Sequence, residues 1–296
     1  MAVFHRRAPR VNIIITLVLA ATLAQAPAPA REYRFEPLAK TAAELAQRFT
    51  PEQIDVLEML NRRDRAHLLR ADPPTPGLLV PVDWAADVLA YSPFPASWPA
   101  AEALPKAIVV HQPLQAFAAY ENGRLVRWGP VSTGRKQTPT PDGSFSLTWR
   151  SRKRRSTDNQ DWLLEWYFNF VNARGVSFHL FELPGYPASH ACVRLLLRDA
   201  MWLYDWGQQW TLDDQRRMTA PGTPVYVLGT YPFGQPAAWL DVHTPPISLP
   251  AAMIPISIKK RGSETYAHSP FRSFRNASGL PETNLQDPAS NLRARQ

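Results

Sequence analysis

Phe117-Ala118-Ala119-Tyr120-Glu121-Asn122-Gly123-Arg124-Leu125-Val126-Arg127-Trp128 sets Asn-Gly between two strand-forming runs. That dipeptide is a strong local hairpin signal, because both central residues of the tight turn need positive φ. The reading predicts strands over 117–120 and 124–128. Short runs of similar character lie around it, at 107–111, 144–148, 164–171, 176–180 and 223–228. One helix is expected over 198–209, where Trp202, Trp206 and Trp210 recur every fourth residue as a core stripe. Many short strands with one main helix make residues 106–229 a mostly-β sandwich or barrel.

The chain has 296 residues, of which 45% are hydrophobic and 20% charged, so it can bury a core and is not a wholly disordered polymer. Its 30 prolines point to long loops or tails. A single cysteine excludes an intramolecular disulfide framework and any multi-cysteine zinc or iron–sulfur site. The formal net charge is +8, with no nucleic-acid-binding motif, so no nucleic-acid partner is expected. The basic run Arg150, Arg152, Lys153, Arg154 and Arg155 reads as a solvated loop.

Residues 1–30 read as a secretory signal. Arg6, Arg7 and Arg10 precede an apolar run from Val11 to Leu23, and Ala24-Gln25-Ala26 opens a small-residue tail. Export places the protein in the periplasm or cell envelope. Any membrane association would come only from an uncleaved signal. Residues 31–84 form a small module, with Leu45, Phe49, Ile54, Leu57 and Leu60 at mostly helical spacings. A new helix is expected at Thr50-Pro51, capped by Thr50 with Gln53 at the third position. Residues 85–105 read as a Pro- and Ala-rich linker, and residues 230–296 as a Pro-rich disordered tail attached locally around 249–258. Leu57-Glu58-Met59-Leu60-Asn61 and Gly77-Leu78-Leu79-Val80-Pro81 resemble part of a LysM-type glycan-binding module, without its opening strand. A helical cap on the next domain is the alternative.

The chemistry gathers around Cys192, in Pro187-Ala188-Ser189-His190-Ala191-Cys192-Val193-Arg194. A lone cysteine is ordinarily an inert small hydrophobe. Here its surroundings are polar, and His179 sits near the end of a strand from which Pro184-Gly185-Tyr186-Pro187 can fold the chain back. A neighbouring imidazole or guanidinium lowers a thiol's pKa toward neutrality, and Cys with His is an acyl-transfer pairing. His179, His190 and Cys192 could also supply three zinc ligands, without a fixed carboxylate to complete the set.

Gly175-Val176-Ser177-Phe178-His179 with Leu183-Pro184-Gly185-Tyr186-Pro187-Ala188-Ser189-His190-Ala191-Cys192-Val193-Arg194-Leu195 closely resembles the active-site segment of YkuD-type L,D-transpeptidases. Val131-Ser132-Thr133-Gly134, Thr138-Pro139-Thr140-Pro141-Asp142-Gly143-Ser144-Phe145 and Gly222-Thr223-Pro224-Val225-Tyr226-Val227 resemble its flanking signatures. The resemblance implies a mostly-β fold acting on peptidoglycan stem peptides and glycan, with no cofactor and no metal. It implies Cys192 as nucleophile, His179 as general base and His190 as a tuning histidine. Arg194 would face a substrate carboxylate or the thiolate. Ser189 would shape the loop, and the N–H groups of Ala191 and Cys192 are candidates for the oxyanion hole. The family usually has glycine where this chain has Ala191, so a positive φ there would carry a cost. The expected reaction is transpeptidation through an acyl-enzyme, with a stem peptide, an envelope lipoprotein or a free D-amino acid as acceptor. The alternatives are an L,D-carboxypeptidase, a hydrolase of peptidoglycan–lipoprotein links, or a non-enzymatic peptidoglycan-binding protein. Trp162, Trp166 and Tyr167 are candidates to wall a substrate groove or to pack in the core.

Overall fold

The computed structural model describes residues 31–72, 74–156, 159–241 and 247–251. The described residues from Glu32 onward belong to one compact unit. The signal expected over 1–30 and the tail from 252 onward lie outside the described residues. Among the described residues no helix is long and apolar enough to cross a membrane.

Thirteen strands and three α-helices follow in chain order among the described residues. They begin with β1 (Tyr33–Glu36), α1 (Ala42–Arg48), α2 (Pro51–Asn61) and β2 (Leu78–Pro81). Next come β3 (Ala107–His111), β4 (Ala116–Glu121), β5 (Arg124–Ser132), β6 (Gly143–Ser146) and β7 (Arg150–Arg155). After β8 (Leu163–Val171), β9 (Val176–Leu180), β10 (Val193–Leu195) and α3 (Leu197–Trp206), the order closes with β11 (Thr211–Leu212), β12 (Met218–Ala220) and β13 (Pro224–Leu228). Nine of these form one sheet in the order β6-β13-β3-β4-β5-β10-β9-β8-β7. The pairings β13–β3 and β10–β9 are parallel and the others antiparallel. Its two edge strands, β6 and β7, are consecutive in the chain. Between them Leu147 N–H donates to Thr223 O, and Thr148 N–H to Asn169 O, so residues 147–149 draw the edges of the sheet toward each other.

The expected hairpin is present, with Asn122 at φ 46° and Gly123 at φ 72° joining β4 to β5. Position 123 is crowded as well as left-handed: an added Cβ would stand 2.8 Å from Trp98 O. Strand β3 is buried on both faces, as a central strand of a two-sided sheet should be. Ile108 and Val110 join a core with Phe117, Phe168, Phe178 and Leu203. Ala107 and Val109 face the other way, into a core shared with Val56 and Met59 of α2 and with Tyr91, Phe94 and Trp98.

That second core revises the domain division drawn from composition. Residues 85–105 are not a free linker: Tyr91, Phe94, Trp98 and Ala101 are buried. Trp98 meets Tyr120 and Tyr226 edge-on at 5.6 and 5.4 Å. The 31–84 segment has an opening strand that the sequence reading lacked, since β1 pairs antiparallel with β2. Phe35 of β1 is exposed, so the alternation that reveals a half-buried strand is muted there. The Thr50–Gln53 capping box forms as expected. Residues 230–241 are ordered too: Trp239 is buried on the domain, and Trp98 Nε1–H donates to Pro250 O at 2.8 Å.

Two local expectations also change. Arg150–Arg155 is edge strand β7, not a loop, and its alternate arginines lie over aromatic rings. Arg152 stands 3.6 Å from the Trp166 ring centroid, and Arg154 4.7 Å from that of Tyr167. Such contacts, and the charges they place on an exposed edge, explain why a basic run can be a strand. Helix α3 ends at Trp206, leaving Trp210 outside it. Trp202 and Trp206 are half-buried, stacked 4.8 Å apart and covered by Arg127 and Lys106, not enclosed in the core.

Trp98→Ala should destabilise the protein by about 3–5 kcal/mol, the cost of emptying a buried aromatic site. Urea unfolding followed by tryptophan fluorescence would measure it. A loss below about 1 kcal/mol would mean that residues 85–105 behave as a linker after all.

Candidate active site

Strand β9 alternates. Val176 and Phe178 enter the core, while Ser177 and His179 point to the opposite face. Strand β10 runs parallel beside it, with Val193 opposite Phe178 and Arg194 opposite His179. The same register carried one residue back places Cys192 beside Ser177, and Ser177 Oγ lies 3.4 Å from Cys192 Sγ. Cys192 is half-buried and lines a small cavity with His179, His190, Ser189, Arg194 and Trp162. The structure thus brings Cys192, both histidines, Ser189 and Arg194 to one site.

His179 is buried, and its Nδ1 lies 3.0 Å from Leu180 O. A carbonyl only accepts, so Nδ1 carries the proton and Nε2 is left with the basic lone pair. Burial pushes the His179 pKa down to about 4; the Leu180 hydrogen bond opposes this and the Arg194 charge adds to it. At neutral pH the ring is an uncharged acceptor. His190 and Trp162 meet in a T-shaped contact at 4.9 Å, so Trp162 walls the cavity. Tyr167 is buried behind the site, and Trp166 packs edge-on against Tyr204, away from it.

Arg194 is held against the chain. Its Nη2 donates to Ala188 O at 3.1 Å, its Nη1 to Glu182 O at 3.4 Å, and its guanidinium lies 4.4 Å from the Phe181 ring centroid. It therefore braces the loop that leads to Cys192 while presenting positive charge at the cavity. Ser189 shapes that loop: its Oγ donates to Cys192 O, and its N–H donates to Thr133 O at 3.0 Å. Arg135 N–H and Thr138 Oγ1 donate to Ser189 O, and Thr140 Oγ1 donates to Ala191 O at 2.8 Å. Gly134 permits this close approach, since a Cβ there would stand 2.2 Å from Thr138 O.

On the far side, the turn after α2 grips the same loop. Asp64 N–H donates to Leu183 O at 3.0 Å, and Leu183 N–H donates to Asp64 Oδ2 at 2.8 Å. His67 Nδ1 lies 2.8 Å from Asp64 Oδ1, which orients the carboxylate. The 31–84 segment is thereby part of the frame that holds the loop leading to Cys192.

Ala191 has φ 81° and is 6% exposed. The left-handed conformation that suits glycine is kept here by alanine, held by the Thr140 and Ser189 contacts on either side. Among the described residues no group of three or more His, Cys, Asp or Glu is placed to hold a metal ion. Sequence reading missed Ser177 and Phe181 as parts of the site, and it did not connect Tyr167 to the thiol. For Ser177 the signal was available, since it shares the His179 face of a strand by simple alternation.

Ala191→Gly should raise stability by roughly 0.5–1 kcal/mol, the relief of left-handed strain less the added chain entropy of glycine. A lower melting temperature in Ala191→Gly would overturn this. For His179 the folded pKa of about 4 lies below the ordinary 6.5, so the unfolded chain takes up the proton first. Stability should therefore be full above pH 6.5 and fall by about 3 kcal/mol between pH 6.5 and 4 on this account. Comparing urea midpoints of the wild type and His179→Asn at pH 7 and about pH 4.5 isolates that contribution. An equal pH response in both proteins would refute it.

Solved structures similar to this chain include an L,D-transpeptidase from Stackebrandtia nassauensis, at 24% identity and a TM-score of 0.36, covering 44% of this chain and 58% of that one. L,D-transpeptidase 3 from Mycobacterium tuberculosis has 20% identity and a TM-score of 0.34, with 42% and 61% covered. An L,D-transpeptidase from Mycobacterium smegmatis has 19% identity and a TM-score of 0.34, with 42% and 59% covered. The chain thus spans less than two thirds of the length of each. No curated protein matches it. The family model that matches is YkuD, the L,D-transpeptidase catalytic domain, over residues 105–227, the span that contains β3 through β13 up to Val227 and every cavity residue named above. Over those residues, less than half of the chain, the sequence carries the pattern of a YkuD L,D-transpeptidase catalytic domain.

Proposed function

We propose that this protein is an exported L,D-transpeptidase that acts on peptidoglycan stem tetrapeptides through an acyl-enzyme on Cys192. The observation that carries the reading is the placement of a half-buried thiol in one cavity with a neutral, Nδ1-protonated histidine inside the family-matched span. Cys192 Sγ attacks the carbonyl carbon between the third stem residue and the terminal D-alanine, and its proton passes to His179 Nε2. The N–H groups of Ala191 and Cys192 receive the developing oxyanion. Collapse breaks the C–N bond, and His179 returns the proton to the departing D-alanine amine, leaving a thioester. An acceptor amine then attacks the thioester and gives its proton to His179, and the thiol is regenerated.

The depressed His179 pKa suits this cycle. The imidazolium formed on attack is a strong acid and surrenders its proton readily to the leaving amine. Arg194 supplies fixed positive charge toward a substrate carboxylate, and Trp162 with His190 lines the approach. The acceptor is another stem's diamino acid, an envelope lipoprotein or a free D-amino acid, with peptidoglycan as the donor in each case. Export rests on the basic and apolar run at the N-terminus.

Incubation with disaccharide-tetrapeptide muropeptides, read by mass spectrometry, should release D-alanine with formation of a dimer or an exchange product. Cys192→Ala should abolish both and also the acyl adduct. Tripeptide alone would assign the carboxypeptidase alternative. Absence of product and adduct would overturn the enzyme reading on this substrate. If His179 is the base, the acid limb of kcat/KM should lie below about pH 5, and a limb near pH 6.5 would reject that assignment.

A further inference from the structure

Behind the nucleophile, on the side away from the cavity wall, lies a buried polar cluster that the transpeptidation cycle leaves without a role. Ser177 and Asn169 have no exposed surface, and Tyr167 and Thr148 are also buried. Asn169 sits opposite Ser177 across the β8–β9 ladder, and a register shift between Glu165 and Phe168 marks a bulge at Trp166, whose φ is 55°. Such a bulge re-aims the side chains beside it. Tyr167 Oη donates to Gly175 O at 3.0 Å, and Asn169 Nδ2 donates to Tyr167 Oη at 3.0 Å. Thr148 Oγ1 donates to Asn169 Oδ1 at 2.8 Å, so the amide cannot turn.

The proton count around Ser177 is decisive. Tyr167 has one hydroxyl proton, and Gly175 O, which can only accept, takes it. Cys192 Sγ stands within reach of two acceptors, Ser177 Oγ at 3.4 Å and Gly175 O at 3.8 Å, so the neutral thiol has a place for its proton. When that proton leaves, Sγ becomes an acceptor. The Ser177 hydroxyl, 3.4 Å away, can then donate to it, while Tyr167 Oη keeps its bonds to Gly175 O and from Asn169. The exchange replaces the weak hydrogen bond of a neutral thiol by a charge-assisted one in a water-poor setting. Tyr167 stays a donor throughout, because burial holds its phenol above the ordinary range.

We propose that Ser177 is a thiolate-stabilising residue of the active site, whose hydroxyl donates to Cys192 Sγ on deprotonation. This rests on the reading of Cys192 as the nucleophile. His179, which shares the cavity with Cys192, takes the proton, and Ser177 donates to the sulfur left behind. The assignment explains how an imidazole with so low a basicity can work with a thiol: the hydroxyl makes the thiolate easier to form without adding a fixed charge.

The test uses the single cysteine of the full chain and needs no substrate. The rate of iodoacetamide alkylation of Cys192 would be followed by intact mass from about pH 5 to about pH 10, a span that brackets the ordinary thiol range, in the wild type and Ser177→Ala. Ser177→Ala should move the alkylation midpoint up by about one unit, so alkylation below the midpoint slows roughly tenfold, while the high-pH plateau is kept. An unmoved midpoint in a variant with wild-type melting behaviour overturns the proposal. In the wild type itself the midpoint should lie below about 8.5, the ordinary thiol value, and a midpoint at or above it overturns the proposal without any variant. Transpeptidation can fail on a chosen muropeptide while this shift stands, and the shift can fail while transpeptidation stands.

Discussion

The parallel pairing of β9 with β10 is the constraint on which the site depends. Parallel neighbours cannot be joined by a tight turn, so the chain must leave β9, travel through residues 181–192 and re-enter beside it. That excursion carries Ser189, His190 and Cys192 to the cavity. The register sets Arg194 opposite His179 and brings Cys192 against Ser177. A slip of one residue would turn Ser177 and His179 into the core and bring Val176 and Phe178 to the site. The apolar demand of Val176, Phe178, Val193 and Leu195, all buried in one cluster, therefore holds Ser177, His179 and Cys192 in place.

A loop of this length needs anchors, and they come from three directions. The 132–140 segment binds Ser189 and Ala191 from one side through backbone and threonine contacts. Arg194 closes the loop on itself through Ala188 and Glu182. Asp64, beyond α2, holds Leu183 by two hydrogen bonds. Because α2 is itself fixed by the core with Trp98 and Tyr120, and by the Arg198–Glu58 ion pair to α3, the N-terminal segment is a structural part of the frame around the Cys192 cavity. The positive φ of Ala191 is tolerated within this frame, since the neighbouring carbonyl and hydroxyl contacts over-determine it.

Burial and charge divide the chemical roles. His179 is kept neutral by desolvation, its tautomer set by Leu180 O. Arg194 carries fixed charge at the same cavity but commits its donors to loop carbonyls. The hydroxyl cluster behind Cys192 is uncharged and buried, so it can respond to a charge on sulfur without creating one of its own. Polar groups so deeply buried are costly unless paired, and Thr148, Asn169, Tyr167 and Gly175 pair in sequence.

Local chemistry makes much of this legible in the order of the residues alone. Asn122-Gly123 determined the hairpin, because few other dipeptides accept two positive φ values. Thr50, Pro51 and Gln53 determined the start of α2 through backbone donors that need acceptors. The strand character of β3, β8 and β9, and the cluster of Cys192, His179, His190 and Arg194, also stood in the sequence, where a family pattern joined residues that local rules could not. Tertiary structure alone decided the rest. The strand identity of Arg150–Arg155 depends on aromatic rings brought from Trp166, Tyr167 and Tyr204, which no local window contains. The burial of residues 85–105 depends on a pocket made by α2 and β3. The partnership of Ser177 with Cys192 depends on a parallel register between strands separated by a loop, and pairing between distant segments is not written in the periodicity of either one.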